Sequence, residues 1–471
     1  MPYITGQREQ TQLFPACIEE YIGTEDPVRA YDAFVDALDF VQLGIEDDPY
    51  RVGAPQFDPR AMLKLLVYGY SYGIRSSRKL ERATYHNVSF IWLMGGLKPD
   101  HKTIARFRRD QAAALKNVLK QCARVCLRLG LIEGNTLFVD GTKVRANASM
   151  KHTWTAERCQ KSLEEIDRRV EAMLKECERL DQNEEAHGSS VRMHQALQDQ
   201  KELKAQIGGV LAELQEQDKT ALNTTDPQSA RVRNGGQIET GYNCQAVVDE
   251  RHGLIVHSDV FNQSNDVGLF SGQIDGAQDT LEKVCQRAVA DTGYSSPEDL
   301  KKSLDQDIDV VVPIHRCSDF RDHFSYDADQ DRYRCPEGHV LRYAGINRRN
   351  KSHMYSITDA AICQQCPRFG TCTRSRAGRR VERPFTEEIR ERLEARYRLP
   401  DAPLLMRRRK MRAEHPFGHI KHNLGIRAFL MRGLSGVRAE MALAATAFNV
   451  TRMLKLIGMA ALIQRLNSSL A

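Results

Sequence analysis

The sequence predicts an α/β fold in which a mixed sheet is flanked by helices and preceded by a helical segment. The first observation is a change of hydrophobic period near Asn135, from the spacing of helices to short apolar runs typical of strands. From there to Ile314 the patterns run, apart from one long interruption, as strand, hairpin, helix, strand, helix and strand, which suits a mixed sheet. The second observation is that residues from about 12 to 130 carry helix patterns and helix-start signals. A chain of 471 residues exceeds what one hydrophobic core usually organises, so we expect several structural units.

The helical N-terminal segment has the pattern of a DNA-binding unit. Asp58 is placed to cap a helix whose first residue is Pro59, a second helix starts at Ser76 or Ser77, and Asp100 caps a third. The third helix carries four cationic residues, Lys102, Arg106, Arg108 and Arg109. Short helices joined by tight turns, the last one basic, are typical of a helix-turn-helix arrangement that lies against DNA. The same pattern also occurs in helical domains that bind no nucleic acid.

Two of the predicted strands end in a carboxylate. "NTLFVDGTKV" is a short apolar run that ends in Asp140 and a glycine turn, and "QRAVADTGYSS" repeats this design with Asp291 and Gly293. Ligand groups in open α/β sheets gather at the carboxyl ends of the strands, so the two carboxylates should converge if the strands are neighbours. Each Asp alone is also explained as a cap of the turn that follows it.

The other elements of this region follow from their periods. "GYNCQAVVDERHGLIVHSDVF" predicts two strands joined by a turn around Arg251 to Gly253, and a helix follows from about Asp266 to Glu282. "DQDIDVVVPI" predicts one more buried strand. Further on we expect a helix near Thr386 to Tyr397 and a single Ala/Leu-rich core helix in "SGVRAEMALAATAFNVTRMLKLIGMAALIQRL".

A long helical interruption separates the first strand from the others. Apolar residues recur there at alternating steps of four and three, and a second set follows the polar loop "DQNEEAHGSS". The first set is Cys159, Leu163, Ile166, Val170, Met173, Cys177 and Leu180, and the second is Ala196, Leu203, Ile207, Val210 and Leu214. We expect an antiparallel helical hairpin with coiled-coil packing, with a structural or oligomeric role or, alternatively, a dedicated partner.

Charge is distributed unevenly along the chain. From Asp401 to Ala471 there are twelve Lys and Arg against three Asp and Glu, which gives this segment a net charge of +9. Because the net charge of the whole chain is +6, the residues before Asp401 together carry −3. A basic segment on a near-neutral body predicts a polyanionic partner, most often nucleic acid, or else a solvated basic face. No apolar run approaches the roughly 20 residues needed to span a bilayer, and "MPYITGQREQ" lacks a signal core. We therefore expect a cytoplasmic protein.

One carboxylate, Glu414, stands in the basic stretch "RRRKMRAEHPFGHIKHN". Arg407, Lys410, Glu414 and Lys421 follow one another at steps of three, four and seven, which places them on one helix face. The three cations of this face are candidates for binding DNA phosphates. A carboxylate on such a face repels the phosphates unless a metal ion stands between them, so Glu414 is a candidate metal ligand beside the two strand-end aspartates. Pro416 is expected to start, kink or break the helix. The simpler alternative is an i, i+4 pair between Lys410 and Glu414.

Four of the twelve cysteines lie close together in sequence. Cys363 and Cys366 form a C-x-x-C motif, Cys372 follows, and Cys335 lies upstream in "YRCPEGHVL". Four thiolates can close a tetrahedral structural zinc site, with His339 as an alternative fourth ligand. Unligated thiols and a redox function are the alternatives. The other eight cysteines are scattered among apolar neighbours, so we expect small core residues rather than disulfides.

Four sequence blocks, in this order, carry a resemblance to a known family. "LFVDGTKVRANAS", "GYNCQAVVD", "ADTGYSS" and "EHPFGHIK" resemble the signature blocks of DDE transposases of bacterial insertion sequences, in the insertion-sequence four/five superfamily. The cysteine-rich segment resembles one branch of that group, and the resemblance runs from roughly Asp58 to Leu454. The segment from "FDPRAMLKLLVYGYSYGIRSSRKLER" to "DHKTIARFRRD" is similar to the group's N-terminal domain, thought to bind terminal inverted repeats.

The resemblance implies an RNase H-like catalytic domain in which Asp140, Asp291 and Glu414 hold two Mg²⁺ or Mn²⁺ ions. Water activated by one ion would attack the phosphodiester while the other stabilises the departing 3′-oxygen, and the freed 3′-hydroxyl would then attack target DNA. No covalent protein intermediate is required. Because both transposon ends must be held together, we expect a homodimer on double-stranded DNA, in the bacterial cytoplasm and at the nucleoid during activity.

The last block departs from the family pattern of Tyr, Arg three residues on, Glu four on and Lys seven on. Glu414 and Lys421 match it, whereas Arg407 stands at the Tyr position and Lys410 at the Arg position. The departures leave the implied metal ligands intact and concern the phosphate contacts, which indicates altered handling of the DNA ends or a partly decayed element.

These expectations divide the chain into five parts. They are a helical terminal-repeat-binding domain at 1–130, the first parts of the catalytic domain at 131–150 and 220–314, a coiled-coil hairpin at 151–219, a zinc-ribbon-like insertion at 315–381, and C-terminal helices at 382–471 that complete the catalytic domain. Two other functions remain open. One is an RNase H-like nuclease without strand transfer, and the other is a catalytically inactive DNA-binding derivative.

Overall fold

The structure is a computed structural model that describes residues 17–45, 56–181, 187–314 and 323–468, with the side chains of 177–194 outside the description. Within these ranges the N-terminal part is helical, as the sequence predicts. Its helices are α1 (Val28–Asp36), α2 (Phe40–Leu43), α3 (Pro59–Ser71), α4 (Ser77–His86), α5 (Val88–Leu93), α6 (His101–Asp110) and α7 (Ala112–Arg128). Asp58 caps α3 by accepting the N–H of Arg60, and Asp100 caps α6 by accepting that of Thr103. These local signals fix where the helices begin.

The chain then enters a mixed sheet. The first eight strands are β1 (Thr136–Arg145), β2 (Thr153–Trp154), β3 (Leu222–Asn223), β4 (Ala230–Asn234), β5 (Gln237–Asp249), β6 (Ile255–Phe261), β7 (Arg287–Val289) and β8 (Asp309–Val311). Strands β2 and β3 pair with each other, and the other six form the main sheet in the order β4-β5-β1-β7-β8 with β6 also on β5. The pairs β1–β5 and β5–β6 are antiparallel, whereas β1–β7 and β7–β8 are parallel. The sheet is therefore mixed, as predicted.

One detail of the strand prediction is wrong. Gly141 does not turn the chain after Asp140, because β1 continues to Arg145 and pairs with β5 along its length. A Cβ atom at Gly141 would lie 2.3 Å from Nε2 of Gln245 on the neighbouring strand. The glycine is needed for this close approach of a side chain, not for a turn.

The helical interruption forms a hairpin of α8 (Ala156–Asp181) and α9 (His187–Glu216), as predicted. Its packed side chains include Cys159, Ile166, Ile207 and Leu214 from the expected seam. Leu203 is the exception, because it is 38% exposed while Leu197 is buried. The side chains of Cys177 and Leu180 and much of the polar loop lie outside the described residues.

Helices that precede and helices that follow the α8–α9 hairpin in the sequence pack on the main sheet. Helix α10 (Phe270–Leu281) starts later than the sequence predicts and contacts β6 and β5, and α11 (Pro297–Leu304) contacts α10 and β8. Helix α7 of the N-terminal part also contacts β6. These helices bury the apolar strand residues that the sequence patterns single out.

The cysteine-containing segment forms a second sheet. Its elements are β9 (Ser325–Asp327), β10 (Arg332–Arg334), β11 (Val340–Asn347), β12 (Ser352–Ile357), α12 (Ala360–Gln364) and β13 (Arg380–Pro384). The five strands are antiparallel and lie in chain order from β9 to β13. The sequence analysis predicts a polar zinc-stapled segment here and does not predict this sheet.

After this sheet the chain returns to helices. Helix α13 (Glu387–Tyr397) lies where it is predicted, and α14 (Ala402–Gly418) carries the basic stretch. Pro416 neither starts nor breaks α14, because it lies inside the helix, buried, three residues before the chain changes to a π-helical turn at His419–Asn423. The helix thus continues past Pro416 and changes to the wider π-helical turn only at its end.

The Ala/Leu-rich segment forms two helices rather than one. Helices α15 (Gly433–Ile457) and α16 (Met459–Ser468) meet at Gly458, whose positive φ of 82° ends α15. Among the described residues no single helix is long and apolar enough to cross a membrane; α15 and α16 pass that test only as a pair bent by 109°. Most of α15 is buried against α7, α3 and β6, where Asn449 exchanges hydrogen bonds of 2.8 and 2.9 Å with the backbone of Ile255. It is a core helix.

A buried ion pair joins α15 to the N-terminal helices. The fully buried side chain of Glu440 accepts a hydrogen bond of 2.8 Å from Arg75, which precedes α4. The other carboxylate oxygen accepts the N–H groups of Leu430 and Met431, and Arg75 also donates to the carbonyl of Ala428. This pair therefore ties α4 to the loop that follows the basic helix.

Candidate active site

The two strand-end aspartates lie side by side. The parallel pairing of β1 and β7 places Phe138 opposite Val289, so two residues further on Asp140 lies opposite Asp291. Asp291 leaves β7 and caps a short 3₁₀ turn, accepting the N–H of Gly293 at 2.8 Å. Asp291 thus both caps its turn and faces Asp140. The convergence that the sequence predicts is confirmed by this pairing.

Asp140 occupies a buried position. Its side chain is 12% exposed and accepts the N–H of Gly141 at 2.9 Å. The pKa of Asp140 is raised from an ordinary value of 3.8 to about 6, mainly by burial and to a smaller extent by the neighbouring carboxylates of Asp291 and Glu414. The guanidinium of Arg409 and the N–H of Gly141 act in the opposite direction. A buried carboxylate of this kind is stabilised by any cation that reaches it.

Arg409 of α14 is the cation that reaches both aspartates. Its Nη1 lies 3.3 Å from Oδ1 of Asp140, and its Nη2 lies 3.5 Å from Oδ2 of Asp291. The side chain is 8% exposed, yet Nε and Nη1 have no hydrogen-bond partner among the described residues. The guanidinium therefore neutralises the pair of carboxylates by charge without settling into aligned hydrogen bonds.

Glu414 lies on the same helix, at the solvent side of this site. It is exposed, and its charge contributes to the raised pKa of Asp140. Within the described chain no ion pair joins Glu414 to Lys410, so the simple helix-surface pair is not formed. Lys421, on the π turn, donates to Oγ1 of Thr142 at 2.6 Å, and burial lowers its pKa. Arg407 and Lys410 are exposed to solvent.

A fourth carboxylate, Asp266, stands beside the pair. Its Oδ1 accepts hydrogen bonds from Lys143 at 2.9 Å, from Asn243 at 2.8 Å and from Gln245 at 2.7 Å. A Cβ atom at Gly293 would lie 2.9 Å from Oδ1 of Asp291 and 3.4 Å from Oδ2 of Asp266. The glycine thus lets the two carboxylates approach the same turn, and the polar network holds Asp266 in place.

The basic residues predicted to bind DNA lie apart from this site, on α6. Lys102 and Arg106 are exposed, and Arg109 is exposed and pairs with Asp110 at 2.9 Å. Arg108 is buried instead, donating to the carbonyl of Arg75 at 2.8 Å and to the hydroxyl of Ser77. Three of the four cations of α6 are therefore on its outer face, and the fourth holds α6 against α4.

The four clustered cysteines line one small cavity. Cys335, Cys363, Cys366 and Cys372 surround a space of about 30 Å³ together with His339. Cys363 accepts the N–H of Arg379, and Cys366 that of Arg368, both at 3.4 Å. Burial raises the pKa of the Cys372 thiol, and the other three thiols raise it further. Among the other cysteines, Cys122, Cys126, Cys159, Cys244 and Cys285 are buried as predicted, whereas Cys17 is exposed.

The described residues contain no group of three or more His, Cys, Asp or Glu side chains arranged so that they could hold a metal ion. At the cysteine cavity the donors are thiols, which suit zinc in their chemistry. At the aspartate pair the place between the two carboxylates is taken by the guanidinium of Arg409. The carboxylates of Asp140 and Asp291 are oxygen donors of the kind that divalent ions prefer. Their negative charge now faces the guanidinium of Arg409, which lacks aligned hydrogen bonds, so a divalent ion would suit this position in charge and in donor type.

Sequence reasoning missed Arg409 and Asp266. Arg409 had a signal, because it falls at helical spacing in the buried stripe of α14 between Leu405 and Ala413. An arginine in an apolar stripe is a candidate for a buried ion pair. No sequence pattern marked Asp266, because its loop is brought to the site by tertiary structure. The pairing of β5 with β1 and the position of α10 place the loop there.

The fold and site define a class of α/β protein that gathers carboxylates and a buried arginine on neighbouring strands of a mixed sheet. Residues 16–110 match the family model of a transposase domain, DUF772, and residues 334–454 match that of a transposase DDE domain. The second match contains Glu414, Lys421 and the four clustered cysteines, while Asp140 and Asp291 lie between the two matches. A comparison with curated proteins gave no significant match.

The two matches, in their order along the chain, support a DDE transposase of an insertion sequence. Transposases act on DNA, so the class implies an enzyme that cuts or joins DNA.

Proposed function

We propose that the protein excises and inserts its element by metal-dependent hydrolysis and strand transfer at Asp140, Asp291 and Glu414. The observation that carries this proposal is the parallel pairing of β1 and β7, which aligns Asp140 with Asp291 beside the helix of Glu414. We further infer an RNase H-like catalytic domain. Its support is the sheet, in which three antiparallel strands (β6, β5, β1) are followed by two strands parallel to β1 (β7, β8).

Two Mg²⁺ or Mn²⁺ ions, when bound by these carboxylates, would supply an activated water and stabilise the leaving 3′-oxygen. The chain's own cations have separate tasks. Arg409 neutralises the charges of Asp140 and Asp291. Its guanidinium must move away from at least one of the two carboxylates before that carboxylate can bind a metal ion. Lys421, fixed by Thr142 at 2.6 Å, presents a positive charge along the same strand, where a phosphate of the DNA end would bind.

The arginine of the family's last block is supplied here by Arg409 rather than by Lys410. Lys410 stands at the expected spacing but is exposed, while Arg409, one residue earlier, is buried against both aspartates. The departure at position 410 therefore need not signify a decayed element.

The test is cleavage of a labelled duplex carrying the element's own end, with Mn²⁺ or Mg²⁺. Asp140→Asn, Asp291→Asn and Glu414→Gln should each abolish cutting while end binding persists, because each removes a charged metal ligand but no surface cation. Lys410→Gln is the matched control on the same helix and should still cut. If Glu414→Gln cuts at the wild-type rate, Glu414 is not a ligand, and Asp266→Asn becomes the next variant to assay.

Two other functions use the same residues. A nuclease without strand transfer would cut the end but would not join the freed 3′-hydroxyl to a second duplex, so a joining assay with a supercoiled target distinguishes it. An inactive DNA-binding derivative would bind the end and leave it intact with either ion. The presence of all three acidic residues at one site favours the active transposase.

We propose that residues 1–130 bind the terminal repeats through the exposed cations of α6, Lys102, Arg106 and Arg109. Footprinting of the element's end with Lys102→Gln and Arg106→Gln variants tests this, and an unchanged footprint would refute it. Holding two ends together requires two protomers, so we expect a homodimer on DNA, in which the hairpin of α8 and α9 or the C-terminal helices could form the contact.

We propose that Cys335, Cys363, Cys366 and Cys372 bind one structural Zn²⁺, with His339 in place of Cys335 as the alternative fourth ligand. Two backbone N–H groups point at the sulfurs of Cys363 and Cys366, as they do around thiolates. Metal analysis should find one zinc per chain, lost in Cys363→Ser. A zinc-free protein that keeps the fold of this sheet in all four Ser variants would refute the site.

A further inference from the structure

The outer face of the sheet β9 to β13 carries arginines in an unusual arrangement. Cross-strand pairing sets Arg332 opposite Arg342, Arg342 opposite Ser356, and Ser356 opposite Arg380. Directly paired residues share a face of a sheet, so Arg332, Arg342 and Arg380 form one row across four strands. Arg334, two residues after Arg332, lies on the same face in the next row. We call these four residues the arginine row.

The opposite face of this sheet is its core. Tyr333, Leu341, Tyr355 and Val381 alternate with the arginine row along the same strands and are buried together. Arg334, Arg342 and Arg380 are exposed, as expected for side chains that point away from that core. The alternation therefore places the row on the solvent side of the sheet.

The charges in the row are poorly balanced. Two carboxylates share this face: Asp327 pairs with Arg332 at 3.0 Å, and Glu382, which accepts hydrogen bonds from Asn347, Asn350 and Ser352, lies near Arg380. In the described part of the chain no ion pair within 4 Å involves Arg334, Arg342 or Arg380.

Like charges directly opposite each other on neighbouring strands destabilise a sheet. A solvated face avoids this by alternating signs, whereas this face sets Arg332 against Arg342. A bound polyanion would neutralise both guanidinium groups and remove the repulsion between them, so this pair suits a polyanionic ligand. Arginine rather than lysine at all four positions favours a ligand with planar, forked acceptors such as phosphate groups.

The dimensions suit a nucleic acid backbone. Strands lie about 4.8 Å apart, so the row from β10 to β13 spans roughly 14 Å. Duplex DNA places one phosphate per strand about every 3.4 Å along its axis. The row can therefore contact several successive phosphates.

We infer that the arginine row binds the phosphate backbone of duplex DNA, as a second DNA contact separate from α6 and from the carboxylate site. This inference rests on the proposed function only in taking DNA as the partner. Contacts to phosphates carry no sequence information, so the row would add affinity and orientation to the binding of any duplex.

The experiment measures binding of the full-length protein to a fluorescein-labelled duplex of arbitrary sequence, by anisotropy, in EDTA and at NaCl concentrations from low to physiological. The test variant is Arg334→Gln/Arg342→Gln/Arg380→Gln. The matched control removes the same number of positive charges from the exposed face of α8, as Lys161→Gln/Arg168→Gln/Arg169→Gln. A general loss of charge affects both proteins equally, and only the location differs.

We expect the slope of log K against log salt to become shallower by about 2 to 3 in the test variant, since each lost phosphate contact removes about 0.9. Affinity at moderate salt should fall more than about tenfold, with the control within about threefold of wild type. The variant Arg334→Lys/Arg342→Lys/Arg380→Lys keeps the three positive charges. Its slope of log K against log salt should therefore stay close to that of wild type. The free test variant should melt at the wild-type temperature or above, since a repulsion has been relieved.

The inference is overturned if the test variant and the control show the same slope and affinity. It is also overturned if the Lys variant shows as shallow a salt slope as the Gln variant. A Gln variant that melts well below wild type would overturn it too, because the row would then be structural. A wild-type protein that binds no duplex at all would refute the proposed function as well, whereas normal cutting of the element's end with an unaltered salt slope would refute this inference alone.

Discussion

Replacing Asp140 by Asn should make the metal-free protein more stable at neutral pH. The carboxylate of Asp140 is 12% exposed, and burial raises its pKa to about 6 although Arg409 and the N–H of Gly141 favour the charged form. The folded protein therefore holds this carboxylate in its ionised state at a cost. Asn has nearly the same shape and carries no charge, so it removes that cost.

The sign and size follow from the difference in pKa. The folded pKa, about 6, lies above the ordinary value of 3.8, so the native protein binds this proton more tightly than the unfolded chain does. The stability contributed by Asp140 is fully present below pH 3.8 and is lost as the pH rises through about 6. At about 1.4 kcal/mol per pH unit, the loss is about 3 kcal/mol at pH 7.5.

The assay is urea unfolding followed by far-ultraviolet circular dichroism, in EDTA, for wild type and Asp140→Asn. We expect the variant to be more stable by about 3 kcal/mol at pH 7.5 and by only about 1 kcal/mol at pH 4.5, where the carboxyl is already protonated in the folded protein. Asp291→Asn is the control. It contacts the same guanidinium but is 41% exposed, so its change should stay below about 1 kcal/mol.

An Asp140→Asn protein no more stable than wild type at pH 7.5 would refute the reasoning. So would a stability difference that stays constant between pH 4.5 and 7.5, because a gain that does not titrate cannot come from the ionised carboxylate. Either result would mean that Arg409 already compensates the buried charge in full.

Three other perturbations address buried charges. Arg409→Gln in EDTA leaves Asp140 buried without its cation and should lower the free energy of unfolding by about 3 to 5 kcal/mol, a loss that added Mn²⁺ should reduce. Arg75→Met should cost a similar 3 to 5 kcal/mol, since the carboxylate of Glu440 is fully buried against it. Burial lowers the pKa of His257 to about 4, below the ordinary 6.5, so stability present above pH 6.5 is lost as the pH falls. From pH 6.5 to 4 we expect wild type to lose about 3 kcal/mol relative to His257→Gln.

The two arginine variants each have an exposed neighbour as a control, and all three predictions have a contradicting outcome that denaturant unfolding can measure. Lys410→Gln and Arg78→Gln remove exposed cations next to Arg409 and Arg75, and should leave stability within about 0.5 kcal/mol of wild type. Equal effects of a buried variant and its exposed neighbour would contradict the assignment of the buried pair. Parallel pH profiles of wild type and His257→Gln would show that His257 does not titrate in this range.

Much of this protein was determined by the sequence alone. The helix starts at Asp58 and Asp100, the hairpin of α8 and α9 and the strand pattern from Asn135 onward depend on caps and periods that act within a few turns of chain. The strand-end positions of Asp140 and Asp291 follow from the same local patterns. Spacing also placed Glu414 and Lys421 toward one face of the basic helix.

The tertiary structure alone decided how these pieces meet. The pairing of β1 with β7, not any property of either strand, sets Asp140 against Asp291, and the packing of α14 on β1 inserts Arg409 between them. The sheet of the cysteine-containing segment was likewise not foreseen, because its short strands acquire a buried face only when all five pair. Gly458 shows the same limit: a glycine in a long apolar pattern is compatible with a continuous helix, and packing chose the bend. Local energies fix elements, but contacts between residues far apart in sequence choose their neighbours, and the active site consists of such contacts.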